Sequence, residues 1–333
     1  MNSSRLSKRS KPAILLTGGA GFIGSCFLWK LNKLGIDNVI VVDALDTSEK
    51  WKNLSGKRFE DYLDRTTLLE AIRRKALDRK IDAVVHLGAC SSTTETDANY
   101  LMENNYRYSR TLAEWAQAQG KRFVYASSAA TYGAGEAGYS DQDADTPRYR
   151  PLNMYGYSKQ VFDLWVLKHG LQKQLVGLKF FNVYGPNEYH KEDMRSVVHK
   201  GYQQVKATGK IRLFKSHHPK YADGEQRRDF VYVKDAIDVI AFFLDHPALG
   251  GIYNLGTGTA QSWNDLAKAL FTALKVKPQI EYFDMPESLR EKYQYFTQAD
   301  IAKLRAAGYE KPFMDLKTGV ADYVAILESS LYL

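Results

Sequence analysis

The 333-residue sequence predicts an α/β fold, a doubly wound parallel sheet with a second, smaller α/β lobe, and three observations predict it. Short apolar runs alternate with helical-period segments from Ala13 onward, a glycine string follows the first run directly, and beyond Asn182 the rhythm breaks before it returns. Alternation of this kind marks βαβ units, whose right-handed crossovers build a parallel sheet.

The expected strands cover residues 13–17, 38–43, 83–87, 122–127 and 175–181, because each is a short apolar run bounded by turn residues or charges. Helices with one apolar face fit between them, near 22–34, 66–77, 98–118 and 154–169. After Asn182 come loops rich in Tyr, His, Gly and Pro, then a strand-like 229–233, a helix after Asp235 and a strand at 252–255. The division expected is a flexible basic tail at 1–11, a dinucleotide-binding domain of 12–181 with 229–257, and a substrate lobe of 182–228 with 258–333. No repeat, heptad or low-complexity tract interrupts it.

Composition narrows the class. With 44% hydrophobic and 25% charged residues the chain has the make-up of a globular protein with a sizeable core. Arg5, Lys8, Arg9 and Lys11 supply four of the eight net positive charges from a tail without an acid, so the remainder is only mildly basic. A solvated tail, rather than a nucleic-acid arm, is the expectation. Cys26 and Cys90 are far apart and lack metal-ligand spacing, so neither a disulfide framework nor a metal site is expected, and a reducing cytoplasm fits. The apolar start at 13–16 is too short for a membrane span or a signal segment.

Gly18, Gly21 and Gly24 form G-x-x-G-x-x-G between the first strand and the first helix. Glycines there permit a tight turn and close backbone approach to a pyrophosphate at the positive end of the helix, the Rossmann arrangement. Asp43 ends the second strand, where a carboxylate can bond an adenosine ribose and favour NAD. Lys50 and Arg65 follow, and as cations they suit a 2′-phosphate, as surface residues solvent. The residues alone leave NAD and NADP both open. His86, before Leu87-Gly88-Ala89, reads as a packed strand-end histidine, with small residues beside it for a cofactor to lie against.

Tyr155 and Lys159 form Y-x-x-x-K, one turn apart on one helix face. A phenol titrates near 10, so a neighbouring ammonium and a nicotinamide's positive charge are needed to make it a base for removing a hydroxyl proton during hydride transfer. Ser128 ends the fifth strand at the same edge and can hold the reacting oxygen. Glycine turn, strand-end serine and Y-x-x-x-K, in that order, form a specific constellation for moving hydride to and from a hydroxyl-bearing carbon.

These residues resemble the extended short-chain dehydrogenase/reductase family, from Ala13 to about Leu327. The runs at 88–95 (GACSSTTE), 125–133 (YASSAATYG), 182–186 (NVYGP), 228–233 (RDFVYV) and 296–300 (FTQAD) are similar to the branch that epimerises ADP-heptose at C6″ for the lipopolysaccharide inner core. The resemblance implies tightly held NADP and a homopentamer. It implies cofactor contacts at Phe22, Ile23, Asp43, Ala44, Lys50, Arg65, Leu87, Gly88, Ala89, Cys90, Ser91, Asn104 and Val183. On the substrate side it implies Asn182, Lys200, Phe214, Arg228 and Tyr293, the guanidinium of Arg228 suiting a diphosphate. Inversion requires a ketone that turns and is reduced on its other face, so a second acid/base beside Tyr155 is useful. Lys191 matches the family's lysine in that part; by itself it reads as a surface charge.

The segment 214–227, with His217-His218-Pro219, is longer than the family pattern, and Asp193 and Lys200 replace a small polar residue and a histidine. Rival readings are a UDP-hexose 4-epimerase, which shares the Ser/Tyr/Lys set, and a non-catalytic dinucleotide-binding sensor. A dTDP-glucose 4,6-dehydratase would want an Asp-Glu pair where Ala129-Ala130 stand.

Overall fold

The structure, a computed structural model, describes residues 13–78, 80–290, 293–329 and 332–333. The expected basic tail at 1–11 lies outside them. Strands β1 (Ile14–Thr17), β2 (Val39–Asp43), β3 (Asp61–Asp64), β4 (Ala83–His86), β5 (Arg122–Ser128) and β6 (Leu175–Phe180) alternate with helices α1 (Phe22–Lys33), α2 (Arg65–Arg73), α3 (Ala98–Leu101), α4 (Tyr108–Ala118) and α5 (Met154–Lys168). There follow β7 (Asn182–Tyr184), α6 (Val197–Thr208), β8 (Ile211–Phe214), β9 (Arg227–Tyr232), α7 (Val233–Asp245), β10 (Gly251–Leu255), β11 (Ala260–Ser262), α8 (Trp263–Leu274), β12 (Ile280–Phe283), α9 (Glu287–Arg290), α10 (Ala302–Ala306) and α11 (Leu316–Glu328).

Seven strands form one parallel sheet in the order β10-β6-β5-β4-β1-β2-β3. Alternation along each strand decides which side chain meets which helix layer. Leu16, Val41, Val85 and Val124 face the apolar stripes of α1 and α7, whereas Leu15, Val84, Phe123 and Tyr125 face those of α2, α4 and α5. Both faces are covered, so the strands read as continuous apolar runs, which is why most were legible. Burying each leucine contributes about 1.5–3 kcal/mol before entropy.

β3 escaped the sequence reading because Asp-Tyr-Leu-Asp is an edge strand, paired on one side only and nowhere fully buried. It needs no apolar run. The expected single helix at 98–118 is interrupted: a π-helical stretch, Met102–Arg107, separates α3 from α4. Such wide turns cluster at functional sites, and this one carries Asn104 and Asn105. The expected strand at 229–233 is β9, which pairs with β7 and β11 in a three-stranded sheet; β10 completes the large sheet. A third pair, β8 with β12, stands beside α6 and α8. Strand order reverses between β1 and β4, and a crevice opens there at the carboxyl edge, where such sheets take ligands.

Candidate active site

The turn after β1 is where glycine is required. Gly18 has φ +69°, and a β-carbon on it would stand 2.6 Å from the Gly88 nitrogen; one on Gly24 would stand 2.0 Å from the Gly18 oxygen. Backbone from β1 and β4 therefore meets directly. α1 starts at Gly21 with no side-chain cap and no acid in its first turn. The amides of Phe22, Ile23 and Gly24 precede the first helical bond, Ser25 N to Gly21 O at 3.0 Å, and so remain for an anion. This cradle of bare backbone and uncapped helix suits a pyrophosphate, so the residues present fit a dinucleotide.

The crevice holds two adjoining chambers, of about 220 and 420 Å³. The smaller is lined by Asp43, Ala44, Asp46, Lys50, Arg65, Asn104 and Tyr108. Asp43 accepts from Ala20 N at 2.9 Å, from Ala44 N at 2.8 Å and from the Lys50 ammonium at 2.5 Å. Lys50 is thus no solvated charge but the partner of a nearly buried carboxylate. Arg65 donates to Asn104 Oδ1 at 2.5 Å. Among the described residues no carboxylate is ion-paired with it.

The larger chamber brings together Gly21, Phe22, Ile23, Gly24, Leu87 to Ser91, Tyr155, Lys159 and Lys191. Asn105, on the π-helical stretch, fixes the strand-end loop by bonding Cys90 N and O, each at 2.9 Å. It also donates to Ser158 Oγ on α5 at 3.0 Å. His86 bonds Thr17 Oγ1 at 2.6 Å and Ser109 Oγ at 2.8 Å, and burial pushes it down to about 3. It is a neutral structural histidine, as its sequence context indicated.

α5 presents Tyr155 and Lys159 to this chamber, its start capped by Asn153, whose side chain accepts from Gly156 N at 2.8 Å. The Ser128 hydroxyl lies close enough to the Tyr155 phenol to favour its ionised form, and it accepts from Ala130 N at 3.1 Å. Burial raises the phenol above its ordinary value, against the smaller effect of Ser128. Lys159 donates to Ala126 O at 2.9 Å, and burial lowers it to about 8.

Behind these groups lies a network that sequence reading missed. Asp163, one turn beyond Lys159, accepts from Lys179 at 2.7 Å, Ser127 at 2.7 Å and Tyr125 at 3.0 Å. Asp163 and Lys179 are wholly buried. Lys179 also donates to Thr131, whose hydroxyl bonds Ser128 O at 2.8 Å, so the pair braces the strand end that carries the serine. A lysine inside an apolar strand was the available signal.

Lys191 lies on a short 3₁₀ segment, Tyr189–Met194, and faces the same chamber, its ammonium 5.6 Å from the Phe22 ring centre. Burial lowers its pKa while Glu188 opposes the shift. The surface-charge reading of this lysine does not hold.

On the far side, Lys200, Phe214, Trp263 and Tyr293 line a cavity of about 290 Å³. Arg228 is 6% exposed beside them, 4.9 Å from the Tyr293 ring centre and 5.8 Å from that of Trp263. Its guanidinium has phenols around it, and among the described residues no carboxylate is ion-paired with it, a setting that suits an incoming anion. In the long segment, His217 accepts from Met285 N at 3.3 Å and His218 packs edge-on against Tyr221 and at a tilt against Tyr295. Asn182 and Val183 sit on β7, the first exposed and the second half-buried.

The NAD dependent epimerase/dehydratase family model matches residues 14–256. The chain is 56% identical, over 93% of its length and 96% of the relative's, to an ADP-L-glycero-D-manno-heptose-6-epimerase of Nitratidesulfovibrio vulgaris. It is 48% identical, with the same coverages, to one of Fusobacterium nucleatum. A solved structure of a Helicobacter pylori ADP-L-glycero-D-manno-heptose-6-epimerase superposes with TM-score 0.84 at 29% identity, covering 99% of this chain and 100% of that one. A Thermus thermophilus UDP-glucose 4-epimerase in complex with NAD superposes with TM-score 0.75 at 26% identity, covering 96% and 99%.

Proposed function

Because the chain belongs to the NAD dependent epimerase/dehydratase family, we propose that it interconverts ADP-D-glycero-β-D-manno-heptose and ADP-L-glycero-β-D-manno-heptose by inverting C6″. The carrying observation is that Tyr155 and Lys191, from different elements, border one chamber beside the glycine turn. The glycine turn with Leu87 to Ser91 would hold a nicotinamide dinucleotide, which would supply the acceptor and donor of hydride for the carbinol carbon. The chain's own groups do the rest.

Ser128 and Tyr155 hold the sugar hydroxyl, and Tyr155 takes its proton as the carbon is oxidised. Lys159 keeps positive charge near the phenolate that results. The ketone has no stereochemistry at that carbon; once it turns, Lys191 gives or takes the proton on the other side. Residues 182–228 with 258–333 act as the substrate lobe. Arg228 binds the diphosphate, with Lys200, Phe214, Tyr293 and Asn182 around the nucleotide sugar.

NADP is the preferred dinucleotide in this reading. Lys50 neutralises Asp43, and Arg65 keeps its charge for a 2′-phosphate. The family resemblance supports a homopentamer. A cytoplasmic site suits the two free cysteines, Cys26 and Cys90. Among the described residues no helix is long and apolar enough to cross a membrane.

The test is mass spectrometry of the cofactor released from purified protein, then incubation with ADP-D-glycero-D-manno-heptose. NADP and conversion to the L-glycero epimer are expected. Turnover of UDP-galactose without turnover of the heptose would overturn the reading.

A further inference from the structure

Lys191 has little local structure to aim it. Its segment is a short 3₁₀ turn, and Asn187 before it (φ +73°) and Glu192 inside it (φ +46°) both have the positive φ that non-glycine residues rarely adopt. Something outside the segment must hold that conformation. Glu188 takes one end, accepting from Ser196 N and Oγ at 2.6 Å and from the Tyr323 hydroxyl at 3.0 Å.

The Asn187 side chain donates to Ser25 Oγ at 2.9 Å and accepts from Leu333 N at 3.0 Å, and a further anchor is Asn53, on the 3₁₀ turn Glu49–Leu54 and 1% exposed. Its amide nitrogen lies 2.9 Å from Ala20 O in the glycine turn, 3.1 Å from Asn187 O and 3.1 Å from His190 Nδ1. Burial lowers His190 to about 4, so near neutrality the ring is uncharged and its Nδ1 can accept. Two N–H bonds thus serve three acceptors, and one side chain ties the dinucleotide turn to Asn187 and His190, just ahead of Lys191.

We propose that Asn53 is a positioning residue for epimerisation, setting where Lys191 stands relative to the dinucleotide turn. The inference rests on the two-base reading above. It does not touch the Tyr155 side: Tyr155, Ser128 and Lys159 are held by α5 and β5, to which Asn53 makes no hydrogen bond. Loss of Asn53 should therefore separate the two half-reactions, slowing the one that uses Lys191 and sparing the other. A misplacement of about 1 Å in a reacting group costs on the order of a hundredfold.

The experiment uses the holoenzyme with each heptose epimer in turn and follows single-turnover reduction of the retained dinucleotide. Lys191→Ala identifies the epimer whose oxidation needs Lys191. Asn53→Ala is expected to slow that same epimer by about 30-fold, leave the other near wild type, and add nothing to Lys191→Ala in the double variant. Amide exchange should quicken across 187–192 and stay unchanged in α1. His190→Ala, which breaks one arm only, should show the same selectivity more weakly and covers the case in which Asn53→Ala fails to fold.

Equal slowing of both epimers, wild-type rates in both, or an additive double variant would overturn the proposal while leaving the second base in place. If Lys191→Ala itself oxidised both epimers at wild-type rates, the two-base reading would fall first, and the role of Asn53 with it.

Discussion

The Tyr155 and Lys191 regions offer two groups to one chamber and reach it by opposite means. Tyr155 rides on a 15-residue helix with an Asn153 cap, and its companion Lys159 follows one turn later. Lys191 rides on a six-residue 3₁₀ turn with a positive-φ residue inside it, held by side chains from distant parts of the chain. The first arrangement is periodic and local. The second exists only because the tertiary fold supplies partners, and a change to those partners should be felt at Lys191 before it is felt at Tyr155.

The comparison breaks most sharply at the phenol. Tyr155→Phe should lower epimerisation by about a thousandfold, within the range for loss of a general acid–base group, with dinucleotide content unchanged by mass spectrometry. If turnover persisted, the helix-borne group would not be a base at all. Lys191→Ala should cost about a hundredfold in epimerisation yet leave hydride transfer to a model aldehyde measurable. Wild-type epimerisation by that variant would reduce the loop to scaffolding.

Gly24→Ala sharpens the comparison from the backbone side, since its new methyl would stand 2.0 Å from the Gly18 oxygen. Overpacking of this kind should destabilise by about 1–3 kcal/mol in denaturant titrations and weaken dinucleotide retention. Unchanged stability would show that the turn can shift without cost.

The smallest effect concerns pH. Burial lowers Lys159 to about 8, so its ammonium is lost as pH rises through that value, and turnover should fall roughly fivefold from pH 8 to pH 9. Stability has the opposite sign. A lysine whose folded pKa lies below its unfolded value binds fewer protons when folded, so its destabilising contribution is present below about 8 and relieved as pH rises toward the ordinary lysine range. Turnover and melting temperature measured together over this window should therefore part company; a parallel fall would assign the activity loss to unfolding instead.

Much of this was readable from the chain. Short apolar runs bounded by turn residues or charges located β1, β2, β4, β5 and β6, because a strand buried on both faces is largely apolar. β3 was not readable, since an edge strand paired on one side tolerates Asp61 and Asp64. Nor was the π-helical break at Met102–Arg107, where the sequence continues an ordinary helical pattern. Asp163 on a helix and Lys179 in an apolar strand show no sign of each other in the sequence, and only their 2.7 Å pairing explains both.

The sequence by itself determined the inner strands of the sheet, the glycine turn and the Tyr155–Lys159 pair, because each depends on one stretch of chain: a short apolar run in strands, one helical turn between the two site residues, bare backbone at Gly18 and Gly24. Tertiary structure decided that Lys50 pairs with Asp43, that Arg228 is buried among phenols, and that Asn53 and Glu188 hold the segment bearing Lys191. Those contacts join residues on different elements, some of them far apart in the chain, and a polar side chain shows no sign of its partner until folding removes water from between them.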